Sequence, residues 1–285
     1  MKKLLILLGV VGVSLSAIFV RLASAPSMVL VFYRMLLAAA VLIPFGLLCC
    51  REELKGLTKK EVLLSLLSGV FLGLHFICYF SAVRYTTIAA AVVLVDTEVL
   101  FVALASPFLL HKGVPAKGWI GIGLTLFGSV LIAASDLGGG GNGVLGDGLA
   151  LLGAACMAVY TLIGTLVRRT CSTTVYTALV YSAGAATVGL LLACTGTPIT
   201  GYTAVDYGAA AGLALCCTLL GHSVFSWGLK YESPAYVSTV KLLEPVFATV
   251  LGLLVFREVP TAMVVLGGAI VIGGVIWYSL YGDST

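Results

Sequence analysis

Ten apolar stretches dominate this sequence, and each is about as long as a helix that crosses a bilayer. They run approximately over 4–23, 28–48, 62–83, 87–110, 117–135, 147–167, 173–194, 208–228, 235–256 and 261–281. A spanning helix takes roughly 20 apolar residues, so these stretches consume most of the 285 residues. Hydrocarbon offers no partner for backbone N–H and C=O groups, which leaves the helix as the spanning form for segments of this length. Composition agrees: 60% of the residues are hydrophobic and 10% are charged, against about 25% charged in a soluble domain. An ordinary soluble domain and a sizeable extramembrane domain are excluded, and disorder is disfavoured.

Charge and turn residues sit between the stretches. With the N-terminus in the cytoplasm and sides alternating, Lys2, Lys3, Arg51, Lys55, Lys59, Lys60, Lys112, Lys117, Arg168, Arg169 and Lys230 lie inside. Arg21, Arg84 and Arg257 lie outside. The excess inside predicts that both termini are cytoplasmic. The net charge of +4 forms no basic stripe, so no nucleic-acid partner is expected. The eight cysteines include two adjacent pairs but no C-x-x-C, and they read as small buried hydrophobes.

The chain resembles itself at an offset of 146 residues. Arg84-Tyr85 falls on Lys230-Tyr231, Ala89 on Ala235, Glu98 on Glu244, and His111-Lys112 on Arg257-Glu258. Five spans per half bring the second copy in from the opposite side. The fold class expected is an all-α polytopic membrane protein with ten transmembrane helices as two inverted five-helix repeats, N-in/C-in. The first repeat covers 1–137, a Gly-rich linker 138–146, and the second repeat 147–285. Lys2-Lys3, the apolar run from Leu4 and Ala23-Ser24-Ala25 have the outline of a signal peptide. The repeat predicts instead that this run is the first span, because the sixth needs its counterpart.

Intramembrane charge is costly and marks function or a paired partner. Arg34, Asp96, Glu98, Lys241 and Glu244 stand well inside the stretches. Three acids against two bases leave an odd carboxylate, which a proton or an organic cation would balance. Glu98, Glu244 and Asp96 are therefore the proton-coupling candidates. Asp96 and Glu98 diverge by about 200° on a continuous helix; Glu98 is preferred because it has a repeat mate. Lys241 and Glu244 are spaced to pair with each other or to line the cavity. Arg34 reads as a structural clamp or as a contact for a substrate anion. His75 and His222 occupy nearly equivalent places, one residue out of register, as packing residues or proton relays. Tyr79 follows His75 by one turn and Ser226 follows His222. Tyr160, Trp227 and Tyr236 are candidate aromatic walls.

Other patterns carry less. Gly141-Asn142-Gly143-Val144-Leu145-Gly146 matches G-x-G-x-x-G without the βαβ context that a dinucleotide needs. No Walker A sequence, cofactor motif or metal motif occurs, and no enzymatic activity is expected. Gly69-x-x-x-Gly73 and Gly208-x-x-x-Gly212 suit close helix packing.

Several segments carry a family resemblance. They are Ser14-Leu15-Ser16-Ala17-Ile18-Phe19-Val20-Arg21-Leu22 with Ala25-Pro26, and Phe32-Tyr33-Arg34-Met35-Leu36-Leu37-Ala38-Ala39. Leu243-Glu244-Pro245-Val246, Val255-Phe256-Arg257-Glu258-Val259-Pro260 and the run Gly267 to Val275 join them. Together, across essentially the whole chain, they resemble EamA-type permeases of the drug/metabolite transporter superfamily. The first half departs from the second, since Thr97-Glu98-Val99 lacks the proline of Pro245.

The resemblance implies efflux or uptake of small metabolites, often amino acids, across a bacterial cytoplasmic (inner) membrane by a multi-pass protein. The function expected is secondary active transport of small polar metabolites by alternating access around a midplane cavity, with export favoured over import. Glu98 or Glu244 would exchange a proton with substrate, while Arg34 and Lys241 tune the acids. The partners expected are the metabolite, the lipid bilayer and H+, with the chain a monomer or homodimer. A non-transporting structural or receptor protein, a channel and an intramembrane enzyme are the alternatives.

Overall fold

A computed structural model describes residues 2–85, 88–111, 113–134, 143–257, 259 and 261–282. The linker residues 138–142, Lys112 and Glu258 lie outside the described residues. In chain order the helices are α1 (Lys2–Ser14), α2 (Ser16–Leu22), α3 (Ser27–Cys49), α4 (Arg51–Gly56), α5 (Lys59–Tyr85), α6 (Ile88–Asp96), α7 (Glu98–Leu110) and α8 (Ala116–Ala134). There follow α9 (Gly143–Val167), α10 (Thr173–Thr195), α11 (Ala204–Gly212), a π-helix (Leu213–His222), α12 (Ser223–Gly228), α13 (Pro234–Lys241), α14 (Glu244–Phe256) and α15 (Ala262–Tyr281). No strand occurs among the described residues. Eight helical stretches are long and apolar enough to cross a membrane, and Ala116–Leu131 is a shorter apolar helix. Side chains such as Leu48, Phe108 and Leu254 point outward, as lipid-facing residues do.

Local chemistry sets the helix starts. Ser172, Ser233 and Thr261 accept the N–H of Val175, Tyr236 and Val264, which satisfies first-turn donors. Thr203 and Asp206 cap each other reciprocally, so the eighth stretch begins at Ala204 rather than near 208. The helix of the sixth stretch begins at Gly143, so residues 143–146 form the first turn of α9.

Four apolar stretches that the sequence presents as single spans are interrupted, at Leu15, Thr97, Leu213–His222 and Leu242–Leu243. The π-helix has a visible cause. The Thr218 hydroxyl donates to the Leu213 carbonyl five residues back (3.0 Å), and the Ser223 hydroxyl to the Thr218 carbonyl (3.3 Å). Side chains inserted into the ladder widen a turn in this way. His75 stands 17 residues after Thr58, and His222 stands 19 after Thr203. The wide turns take up the extra residues, which explains why the two histidines are out of register.

The chain forms two compact units, each drawn from both halves of the sequence. One comprises Met1–Ile77 and Val159–Tyr231, the other Cys78–Ala158 and Glu232–Thr285. In the first unit α3 and α10 pack antiparallel: Gly189 meets Phe32, Gly184 meets Met35, and Gly46 meets Thr174. Their bounds differ by 146 residues at both ends. Gly69 lies against the Val180 carbonyl and Gly73 against Gly184, as close packing requires. Gly212 lies against the Phe19 ring, but Gly208 has nothing within 4 Å, so only one residue of that motif is a packing glycine.

In the second unit α8 and α15 also run antiparallel. A Cβ on Gly128 would stand 2.6 Å from the Gly267 carbonyl oxygen, and one on Gly274 would stand 3.0 Å from that of Gly121. Gly121 and Gly267, like Gly128 and Gly274, are 146 residues apart. The pair therefore crosses through matched glycines. Of the eight cysteines, Cys78, Cys156, Cys171 and Cys217 are buried, whereas Cys49 and Cys194 are exposed. The buried-hydrophobe reading holds for the former four.

Candidate functional site

The second unit concentrates charge where its helices break. After α6 the Thr97 N–H reaches back three residues to the Leu94 carbonyl (3.3 Å), and its hydroxyl takes the same oxygen (2.5 Å). After α13 the Leu243 N–H makes the matching bond to Val240 (3.1 Å). Pro245 explains the second break, since it has no N–H to give and its ring clashes with the carbonyl four residues back. The first break has no proline; the Thr97 hydroxyl serves in its place. The two chain reversals beyond are matched too. His111 and Arg257, 146 residues apart, both adopt left-handed backbone, at φ 55° and 58°.

Each break starts a new helix on a glutamate, Glu98 for α7 and Glu244 for α14. The partial positive charge of a helix N-terminus favours an acid there. Lys241 ends α13, where the dipole favours a base. Its ammonium donates to both Glu98 oxygens, at 2.9 and 2.6 Å, and the Ser238 hydroxyl donates to one of them at 2.8 Å. Glu98 is 5% exposed and Lys241 7%, so the pair is desolvated. The sequence spaced Lys241 to reach Glu244; the structure gives it Glu98 as an ion-pair partner.

Asp96 ends α6, where the dipole opposes a negative charge. It feels Glu244, Glu98 and Lys241 electrostatically. Its Oδ2 is buried without a hydrogen-bond partner among the described residues. The divergence expected for a continuous helix does not apply, because the chain turns at Thr97 between the two acids. The structure thus gathers Asp96, Glu98, Lys241 and Glu244 into one cluster. Tyr79, also in this unit, is buried against Phe80.

Tyr236, in this unit too, is buried with its ring centre 6.4 Å from that of Tyr278. The first unit holds the remaining candidates. Arg34, 1% exposed, donates from Nε to the Thr218 hydroxyl (2.8 Å), and its guanidinium lies 3.8 Å from the Phe76 ring centre. His222 and Phe76 meet edge to face with ring centres 5.0 Å apart, and the His75 ring centre also lies 5.0 Å from that of Phe76. The Tyr181 hydroxyl reaches the Thr218 carbonyl (3.3 Å) and Ser223 (3.0 Å). Tyr160 hydrogen-bonds Ser226 at 2.7 Å. Trp227 instead packs on Tyr231, whose ring carries the Lys2 ammonium at 4.1 Å.

Sequence reading missed Ser238 and Thr218. Ser238 precedes Lys241 by three residues, a same-face spacing that would have flagged it. Thr218 carries no such signal, because its role depends on the π-helix. Arg168, read as a topology charge, is buried and holds the ends of two elements. Its Nε donates to the Ser226 carbonyl (2.9 Å), its other nitrogens to the Cys171 carbonyl and the Thr173 hydroxyl. Burial pushes its guanidinium below the ordinary arginine value. Among the described residues no set of three or more His, Cys, Asp or Glu is placed to hold a metal.

The profile of the EamA-like transporter family matches residues 2–134 and 144–280. An "uncharacterized transporter" of Clostridium kluyveri is 27% identical over 251 residues, covering 86% of this chain and 81% of that protein. One of Archaeoglobus fulgidus is 26% identical over 252 residues, covering 86% and 85%. A solved crystal structure with 20% identity superposes at a TM-score of 0.81 over 99% of this chain and 97% of the other, which speaks for the fold alone.

Proposed function

The chain belongs to the EamA-like transporter family, and from that premise we propose that it is a secondary active exporter of small polar metabolites, with amino acids the leading class. It is a multi-pass membrane protein; we place it in a bacterial cytoplasmic membrane, as the Clostridium relative suggests. The proposed architecture is ten spans, N-in and C-in, in two inverted repeats. The matched breaks, the matched left-handed residues and the antiparallel repeat mates α3/α10 and α8/α15 support it.

The observation that carries the mechanism is the pair of broken helices bearing carboxylates. Carriers commonly bind substrate and ions at such discontinuities near the membrane midplane. Lys241 supplies one positive charge to a cluster with Asp96, Glu98 and Glu244. Glu98 already has Lys241 and Ser238 as partners, whereas one Asp96 oxygen has none among the described residues. A buried carboxylate oxygen without a partner is costly, and a proton or a substrate ammonium would remove that cost. Asp96 thus becomes the first candidate for proton coupling, with Glu244 second. In the other unit Arg34, stacked on the Phe76 ring that also meets His75 and His222, is suited to a substrate carboxylate, with Tyr160 as a wall. Alternating access would expose these groups to each side in turn.

The test is extracellular metabolite profiling of cells expressing the native chain or an equally abundant Glu244→Gln variant. A solute enriched outside only with the native chain is the expected result. No difference in any solute would leave import, or a structural role for Glu244, as the two readings, and uptake into proteoliposomes would then be measured. If Asp96→Asn, Glu98→Gln and Glu244→Gln each left transport and its pH dependence intact, proton coupling by this cluster would be lost.

A further inference from the structure

Two carboxylates in the first unit make the same double contact. Glu61 Oε2 accepts the Thr58 N–H (2.8 Å) and hydroxyl (2.7 Å), while the Thr58 hydroxyl accepts the Glu61 N–H (3.2 Å). Asp206 Oδ2 does likewise with Thr203, at 3.0 and 2.7 Å, and the Thr203 hydroxyl accepts the Asp206 N–H (3.3 Å). Both are capping boxes, one opening α5 and one opening α11.

The second oxygen of each acid does something a cap does not require. Glu61 Oε1 accepts the Thr170 hydroxyl at 2.6 Å, in the turn between α9 and α10. Asp206 Oδ1 accepts the Ser24 N–H (2.6 Å), the Ala25 N–H (2.9 Å) and the Ser24 hydroxyl (3.2 Å), in the turn between α2 and α3. Ser24 and Thr170 are 146 residues apart. Glu53, on α4, adds a bond from the Ser172 N–H at 2.5 Å. Because α3 and α10 run antiparallel, the turns that precede them lie at opposite ends of this unit. Each end is therefore fastened by a carboxylate that caps one span and holds a turn more than 100 residues away in sequence.

Symmetry gives these latches a consequence. When inverted repeats exchange conformations, a contact made in both copies in one state is made in both copies in the other. Contacts found in one copy only are those that change. We propose that the Asp206 and Glu61 latches stay closed throughout the transport cycle and carry α1–α3, the part of α5 up to Ile77 and α10–α12 as one body. Access then changes through segments that lack a matched contact. This rests on the inverted-repeat transporter reading.

Two spin-label pairs test it, on the full chain in lipid nanodiscs with native cysteines replaced. Leu22 with Val205 reports one latch and Lys60 with Arg169 the other; all four side chains are exposed. Distances are read at acidic and alkaline pH, with and without a mixture of proteinogenic amino acids. One unchanged distance per pair is expected, and a second distance in either pair under any condition overturns the proposal. Thr170→Val combined with Glu53→Ala removes the second latch but spares the Thr58–Glu61 cap. It should give the Lys60/Arg169 pair a second distance and leave the other pair alone; a single distance would show that these bonds hold nothing. Metabolite profiling of cells with and without the native chain, followed by proteoliposome uptake, judges the transporter reading separately, since silence in both would remove that reading while the spin-label pairs still decide whether the turns open.

Discussion

The two helix breaks of the second unit share a backbone and differ in chemistry. Both tighten through bonds to carbonyls three residues back, and both restart on a glutamate. Around them the side chains diverge. The positions matching Lys241 and Ser238 are Val95 and Val92, and the one matching Asp96 is Leu242. One copy thus brings the base and the hydroxyl, the other brings the extra acid. A repeated backbone supplies two equivalent places to put charge, and single substitutions then make the charges complementary instead of duplicated.

The largest effect should come from breaking the pair that joins the copies. Lys241→Met leaves Glu98 buried without its ammonium and should cost about 3–5 kcal/mol in unfolding measurements. Adding Glu98→Gln should recover most of that loss; if it does not, the lysine acts through packing. Ser238→Ala should cost about 1.5–3 kcal/mol, as loss of a hydrogen bond to a charged group does. The hydrophobic equivalent in the first copy, Val92→Ala, offers the contrast, since it removes no such bond.

Packing between repeat mates should respond symmetrically. Gly128→Ala and Gly274→Ala each push a methyl into the neighbouring backbone and should each lower stability by about 1–3 kcal/mol. Gly123→Ala and Gly273→Ala meet nothing within 4 Å and should cause no loss. Unequal losses at the matched pair would mean that the contact is less symmetric than its distances. The smallest effect belongs to the chain reversals. His111→Gly and Arg257→Gly relieve left-handed backbone and should each raise stability by about 1 kcal/mol, read as a higher unfolding temperature.

Much of this was legible in the sequence. Apolar length placed the helices, and the offset pointed to matched positions such as Glu98 and Glu244. Pro245 flagged one break. The other was hidden, because a threonine in an apolar run signals nothing until its hydroxyl is seen on the Leu94 carbonyl. The pairing of Lys241 with Glu98 was also hidden. Local spacing favours Glu244, and only long-range packing of α13 on α7 brings Glu98 within 2.6 Å.

The sequence by itself determined that this chain is a stack of membrane helices, because hydrocarbon permits little else for such composition. It determined as well that the chain repeats, because matched residues recur at a constant offset. Tertiary structure alone decided which charges meet and which turns are latched. Those depend on contacts between residues more than 100 positions apart, and an apolar run carries no local record of the neighbour it will face.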